Sequence, residues 1–209
     1  MSEEILINVT PQETRVAIVE NGVLQEVYIE RTRSRGIVGN IYKGKVVRIL
    51  PGMQAAFVDI GLERTAFLHA SDVRPASAPE NGAGTAPPIH ELLRDGQEIV
   101  VQVVKDPLGT KGARLTMQIT LPARYLVYLP DSKHIGISQK IGDEATRERL
   151  RALVKSALGE GAEEGGYILR TLAESASEDE IETDIRYLRR VWAASQERIR
   201  TAPAPGLIH

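Results

Sequence analysis

"YKGKVVRILPGMQAAFVDIGLERTAFLHASDV", residues 42–73, is the densest run of strand signals in this chain. β-Branched and alternating residues predict strands over Ile41–Leu50, Ala55–Ile60 and Thr65–Leu68, with Pro51-Gly52 separating the first two. Further on, "GQEIVVQVVKDPLGTKGARLT" (96–116) adds strands at Gln97–Lys105 and Ala113–Ile119, across the turn-rich "DPLGTKG". Short strands at this spacing predict a small barrel. The only two phenylalanines, Phe57 and Phe67, both fall in the first run. Their small neighbours Ala55, Ala56 and Ala66 leave room at the ring faces. A base stacked on such a ring is worth about 1–3 kcal/mol, whatever the base. Lys43, Lys45, Lys105 and Lys111 are cations that can neutralise the adjoining phosphates. The competing account makes both rings core and the lysines solubilising.

Outward toward the amino terminus, Ile5–Val9, Thr14–Val19 and Val23–Ile29 read as strands, the last two joined by the hairpin turn Asn21-Gly22. Arg31–Gly39 is basic, glycine-containing and aperiodic, hence a linker. Arg74–Pro88, rich in Pro, Ala, Gly and Ser, is expected to be a flexible surface loop. The last third changes character. Asp143 can cap a helix to about Leu158 that Gly159 stops, with Leu150, Leu153, Val154 and Ala157 on one face. Ser177 and Glu180 form a capping box, opening a helix that buries Ile181, Ile185, Leu188, Trp192 and Ile199 before "TAPAPG". Between the helices lies "GGYILRT" (165–171), a strand with "RYLVYLP" (124–130) as its expected partner. Arg170-Thr171 at its end is either a solvated rim or two donors aimed at one anion, and both readings stay open on residue types alone.

Composition bounds the rest. The 209 residues, 42% hydrophobic and 26% charged, are those of a globular protein with room for one large or two small domains. The apolar runs are far shorter than a membrane span, no leader pattern opens the sequence, and a cytoplasmic start is expected. Absence of cysteine excludes disulfides, thiolate zinc sites and cysteine nucleophiles in this chain. Net charge is only -2, but it is divided by region. Residues 31–72 carry seven basic residues against Asp59, Glu63 and Asp72, whereas 143–184 carry twelve acidic against five basic. Such a division fits one part meeting a polyanion.

Four features of the middle strands stand in order: G-x-V near the start, "FVDIG", "FLHASDV" and a closing "GQEIVVQVVK". Together they resemble the S1 domain, an OB-fold barrel that binds single-stranded RNA and presents aromatics at the places of Phe57 and Phe67. The flanks "ILINVTPQETRVAIVENGVLQEVYIER" and "LPARYLVYLP…GISQKI…GGYILRT" extend the resemblance, over essentially the whole chain, to the ribonuclease E/G family. The resemblance implies a β-rich α+β chain. Residues 1–35 would be a partial RNase H-like subdomain, 36–119 the S1 domain, and 120–209 a 5′-sensor region with the start of a return to the RNase H-like subdomain.

It further implies that Arg170 and Thr171 bind the 5′-monophosphate of an RNA, with main chain near Val127 completing the pocket and Lys140 as an auxiliary contact. Gln139 stands where some relatives carry arginine, and Ala123 where some carry glycine. Partners implied are single-stranded RNA with a 5′-monophosphate and, for a longer parent protein, one or more further copies of itself. No membrane is implied. Family catalysis uses magnesium held by aspartates in a D-I-D-x-N-type motif, and zinc can link protomers through cysteines. Neither motif occurs in these residues. The fragment is therefore expected to bind RNA without cutting it, with "TAPAPGLIH" running on toward a nuclease domain.

Other candidates weigh less. "SEDEIETD" (177–184) reads as a solvated helix face, the histidines are dispersed, and "GTKG" lacks the P-loop pattern. The alternative to the nuclease reading is a stand-alone, non-enzymatic S1 RNA-binding protein.

Overall fold

The computed structural model describes residues 2–73, 87–159 and 165–209. Most of the expected loop at 74–88 lies outside the described residues. The chain divides into two compact units, one ending at Ile37 and the other beginning at Val38.

The first unit is an antiparallel meander of β1 (Glu3–Val9), β2 (Glu13–Glu20) and β3 (Val23–Arg31). Asn21 and Gly22 both have positive φ, 49° and 78°, as a tight hairpin turn matched to strand twist requires. β2 sits between its neighbours in register Ile5↔Ile18 and Val16↔Tyr28. Ile5, Leu6, Ile7, Val27 and Ile29 are each more than half exposed.

The second unit opens with β4 (Ile41–Leu50), β5 (Ala55–Asp59) and β6 (Ala66–His69). A short α1 (Ile89–Leu92) precedes β7 (Glu98–Lys105) and β8 (Arg114–Thr116). The order β4-β5-β6-β8-β7 closes on itself because β7 also pairs with β4, Ile41↔Gln102 through Lys45↔Glu98. A five-stranded closed barrel, as expected for an S1 domain, results. Its interior is filled by alternate residues: Val46, Ala56, Val58, Leu68, Val101, Val103 and Leu115, all at most 1% exposed. The β6–β8 contact depends on a missing side chain. A Cβ on Gly112 would lie 1.9 Å from the Thr65 carbonyl oxygen.

β9 (Leu121–Pro122), β10 (Leu126–Leu129), β11 (Ile135–Ile137) and β12 (Gly166–Leu169) form a second sheet in order β11-β12-β10-β9. β10 and β12 pair antiparallel, Val127↔Ile168, so the expected partnership of "RYLVYLP" and "GGYILRT" is present. β11 runs parallel to β12, and α2 (Glu144–Leu158) makes the crossover that parallel strands need. Asp143 caps α2, accepting from the Thr146 N–H at 2.8 Å, and the bonds from Thr146 hold its carboxyl below the usual aspartate range. α3 (Glu178–Thr201) opens with the full Ser177–Glu180 capping box.

Apolar stripes of α2 (Leu150, Val154) and α3 (Ile181, Ile185, Leu188) cover the sheet residues Leu126, Tyr128, Tyr167 and Leu169 in one core. Gly165, at φ +82°, leads into β12 where a Cβ would meet the Tyr128 ring at 2.2 Å, and this is why a glycine stands there. After α3 the chain returns to the barrel. β13 (Gly206–Leu207) pairs with β4, and Ile208 enters the same core as Ile41.

Candidate functional site

Two groups of side chains stand out in the second unit, one on the barrel wall and one at the end of the second sheet.

On the barrel, Phe57 pairs directly with Phe67 across β5 and β6, ring centroids 6.4 Å apart at 68°. Both are half-buried, so each ring keeps some surface in contact with solvent. The edge-to-face arrangement is favourable for aromatic pairs and fixes both rings. Cross-strand register continues the line in both directions. Arg48 of β4 is opposite Phe57, Arg114 of β8 is opposite Phe67, and Lys105 of β7 is opposite Arg114. Arg114 makes an ion pair with Asp72 at 2.9 Å.

The four lysines divide. Lys105 lies on this line. Lys45 pairs in register with Asp59 on one side and Glu98 on the other. Lys43 is only 19% exposed, bonded to the Glu98 carboxylate at 3.2 Å and to the Ala202 carbonyl at 3.2 Å. Lys111 lies in the β7–β8 turn, exchanging backbone bonds with Leu108, its side chain exposed. Strand register sets Arg48 opposite Phe57 and Arg114 opposite Phe67, two cations outside the group of four lysines.

At the second sheet, β11 and β12 end side by side because they are parallel, which brings Ser138–Lys140 next to Arg170-Thr171. The Ser138 N–H donates to the Leu169 carbonyl at 2.9 Å. The Thr171 and Ser138 hydroxyls are 3.1 Å apart, and the Lys140 N–H reaches Ser138 Oγ at 3.4 Å. Arg170 donates its backbone N–H to the Tyr125 carbonyl and its Nη1 to the Ala123 carbonyl, both at 2.8 Å. The Arg170 side chain is otherwise exposed. Val127 sits mid-strand opposite Ile168, two residues along from Tyr125, and is half-buried. Gln139 and Lys140 are exposed. The structure thus links Thr171 and the Lys140 backbone through Ser138, a residue whose type gave no signal in the sequence, while Arg170 beside them is held by Ala123 and Tyr125.

Part of "SEDEIETD" is not a solvated face. Asp184 accepts the N–H groups of Tyr125 and Leu126 at 2.7 and 3.1 Å, and Glu180 accepts the Tyr125 hydroxyl. α3 carboxylates therefore pin the turn whose Ala123 carbonyl orients Arg170. The Tyr125 hydroxyl bond, followed by the Ser177 N–H, holds the Glu180 carboxyl below its ordinary range. The same bond, with burial second, raises Tyr125. Burial raises Tyr167. Among the described residues no group of three or more His, Asp or Glu comes together to hold a metal ion. No described helix is long and apolar enough to cross a membrane.

The closed five-stranded barrel is of the S1 class, and residues 37–117 match the S1 RNA binding domain. Residues 120–209 match the ribonuclease E/G family. Ribonuclease G of Escherichia coli is 56% identical over 95% of this chain and 41% of its own length. Ribonuclease G of Haemophilus influenzae is 54% identical over 99% and 42%. Ribonuclease E of Escherichia coli is 39% identical over 99% of this chain but only 20% of its own length. Over residues 120–209 the chain is similar to the ribonuclease E/G family, and it spans about two fifths of the length of the ribonuclease G sequences it matches. A chain from the a/eIF2alpha-aDim2p-rRNA complex of Pyrococcus horikoshii is 18% identical, with 58% of this chain and 60% of that one covered. Its TM-score of 0.31 bears on neither fold nor function.

Proposed function

We propose that this chain is the RNA-binding and 5′-end-sensing part of a single-strand-specific endoribonuclease of ribonuclease G type, acting in rRNA processing and mRNA decay. Residues 36–119 hold the RNA strand. Residues 120–209 select its 5′-monophosphate, and the chain by itself does not cut. Cleavage, together with the magnesium and the zinc linkage that the family resemblance implies, is assigned to residues of a longer, homo-oligomeric, cytoplasmic protein.

The observation that carries the sensor reading is that the Thr171 hydroxyl and the Lys140 backbone N–H both meet Ser138 Oγ at the ends of two parallel strands, with Arg170 next along the chain and held by Ala123. Ala123 fixes one guanidinium nitrogen of Arg170, so the others are presented in a fork suited to two phosphate oxygens. When Ser138 donates to Thr171 Oγ1, the Thr171 proton is released toward a third oxygen. A terminal monophosphate has the charge and oxygens for all three donors, whereas a 5′-hydroxyl has neither.

The test compares binding of one short RNA bearing either a 5′-monophosphate or a 5′-hydroxyl. The unaltered chain should prefer the phosphate. Arg170→Ala should erase that preference, a loss of about 10- to 100-fold, since a charged hydrogen bond is worth about 1.5–3 kcal/mol. Equal preference in both proteins would overturn the sensor reading.

A further inference from the structure

The Ser138 and Thr171 hydroxyls, 3.1 Å apart, stand on short segments. A short segment holds a side chain in place only when something outside it fixes its backbone. Residues 138–141 form a tight turn, closed by the Ile141 N–H donating to the Ser138 carbonyl at 3.1 Å. Thr171 opens a 3₁₀ turn, Thr171–Ser175. Helix α2 reaches both. Arg147 Nη1 donates to the Ser138 carbonyl at 3.1 Å and to the Ile141 carbonyl at 3.0 Å, so it grips the first turn at both ends. Arg149 Nη2 donates to the Glu174 carbonyl at 2.6 Å, toward the far end of the second. Arg147 is itself anchored by the start of its helix, its N–H donating at 3.0 Å to the carbonyl of the capping residue Asp143.

We infer that Arg147, with Arg149 two positions on, is a positioning residue of the 5′-phosphate site. It acts through the backbone of Ser138 and does not touch the RNA. This rests on the sensor reading, and adds to it the part of the molecule that sets the site. The Arg147 side chain is 24% exposed, and it pairs with Glu144 at 3.6 Å, a carboxylate itself 72% exposed. So exposed a carboxylate contributes little, which leaves the two carbonyls as the principal partners of the guanidinium. A guanidinium this far from water needs acceptors wherever it sits. That need does not select the carbonyl of the residue whose hydroxyl meets Thr171. Nor does it bring a second arginine of the same helix to the turn that Thr171 opens. Fixing the Ser138 carbonyl fixes the backbone from which Oγ projects, and with it the contact between the two hydroxyls.

The test measures the ratio of affinities for one short RNA bearing a 5′-monophosphate or a 5′-hydroxyl. A general loss of structure lowers both affinities and leaves their ratio. Arg147→Met keeps the apolar stem, removes the donors, and should reduce the preference for the phosphate about fivefold, the worth of one hydrogen bond. Nη1 alone makes both carbonyl bonds, so a lysine ammonium brought to the same point can replace them, and Arg147→Lys should restore the preference. Combining Arg147→Met with Ser138→Ala should cost no more than Ser138→Ala alone, because a residue that acts through another then has nothing to act on. Arg149→Met, at an exposed side chain whose loss leaves the core intact, should lower the preference in the same direction. Lys155→Met, exposed near the end of the same helix, should leave it as it was. Full preference in both Arg147→Met and Arg149→Met, or losses that multiply in the double variant, would overturn the positioning role. The sensor reading then stands if Arg170→Ala still erases the preference. If Arg170→Ala keeps the preference, the sensor reading falls and the positioning role with it.

Discussion

The barrel wall and the end of the second sheet solve different problems with the same few residue types. On the barrel, the groups stand on successive strands of a closed sheet, side by side, and each makes its own contact. Adding contacts in a line favours a long, repetitive ligand and tolerates any sequence, because bases share a π-face and phosphates share a charge. At the second sheet the groups come from two neighbouring strand ends, and protein carbonyls hold Arg170 and Ser138 there. Such neighbours favour a compact, highly charged group. In the proposed function the barrel wall would meet the body of the RNA and the strand ends its 5′ end.

The comparison is most severely tested at Gly112. An added methyl would lie 1.9 Å from the Thr65 carbonyl oxygen, and backbone cannot yield as a flexible side chain does. Gly112→Ala should cost about 3 kcal/mol of stability and weaken RNA binding with either 5′ end. The urea midpoint and oligonucleotide affinity measure both. An unchanged midpoint would show that the β6–β8 closure does not support the line of side chains.

Ser138→Ala comes next. It removes one hydroxyl bond, about 1 kcal/mol, and should reduce the preference for 5′-phosphate about fivefold while leaving 5′-hydroxyl RNA bound as before. A matching loss with both RNAs would mean that Ser138 only supports the sheet.

The smallest effect is on pH dependence. Glu180 is held below its ordinary value, first by Tyr125, so its stabilisation is present above the unfolded carboxylate range. That stabilisation is lost as pH falls through the lowered value. Tyr125→Phe should therefore make the acid-side fall in melting temperature shallower. An equally steep fall would place the acid sensitivity elsewhere.

Much of the fold is legible in the residues alone. Local signals place the meander, the barrel strands and both long helices, and the Ser177–Glu180 box and the Asn21-Gly22 turn form where the residues put them. The short elements are not legible. β11 is three residues, Ile135–Ile137, with no period to detect, and it is a strand only because α2 carries the chain back parallel to it. Ser138 escapes notice for the same reason, since its neighbour Thr171 is 33 residues away. The acidic run misleads because its spacing fits a wet helix face, and only the packed position of Tyr125 and Leu126 gives Asp184 something to bond.

Residue types and neighbours a few positions away are enough to specify the barrel strands, the two aromatic rings, the helix caps and the Arg170-Thr171 pair. They do not specify which cations share a face with the rings, or which hydroxyl meets Thr171. Those were decided by three-dimensional packing, through register and two bulges, because a shift of one residue in a strand reverses the side of every group beyond it.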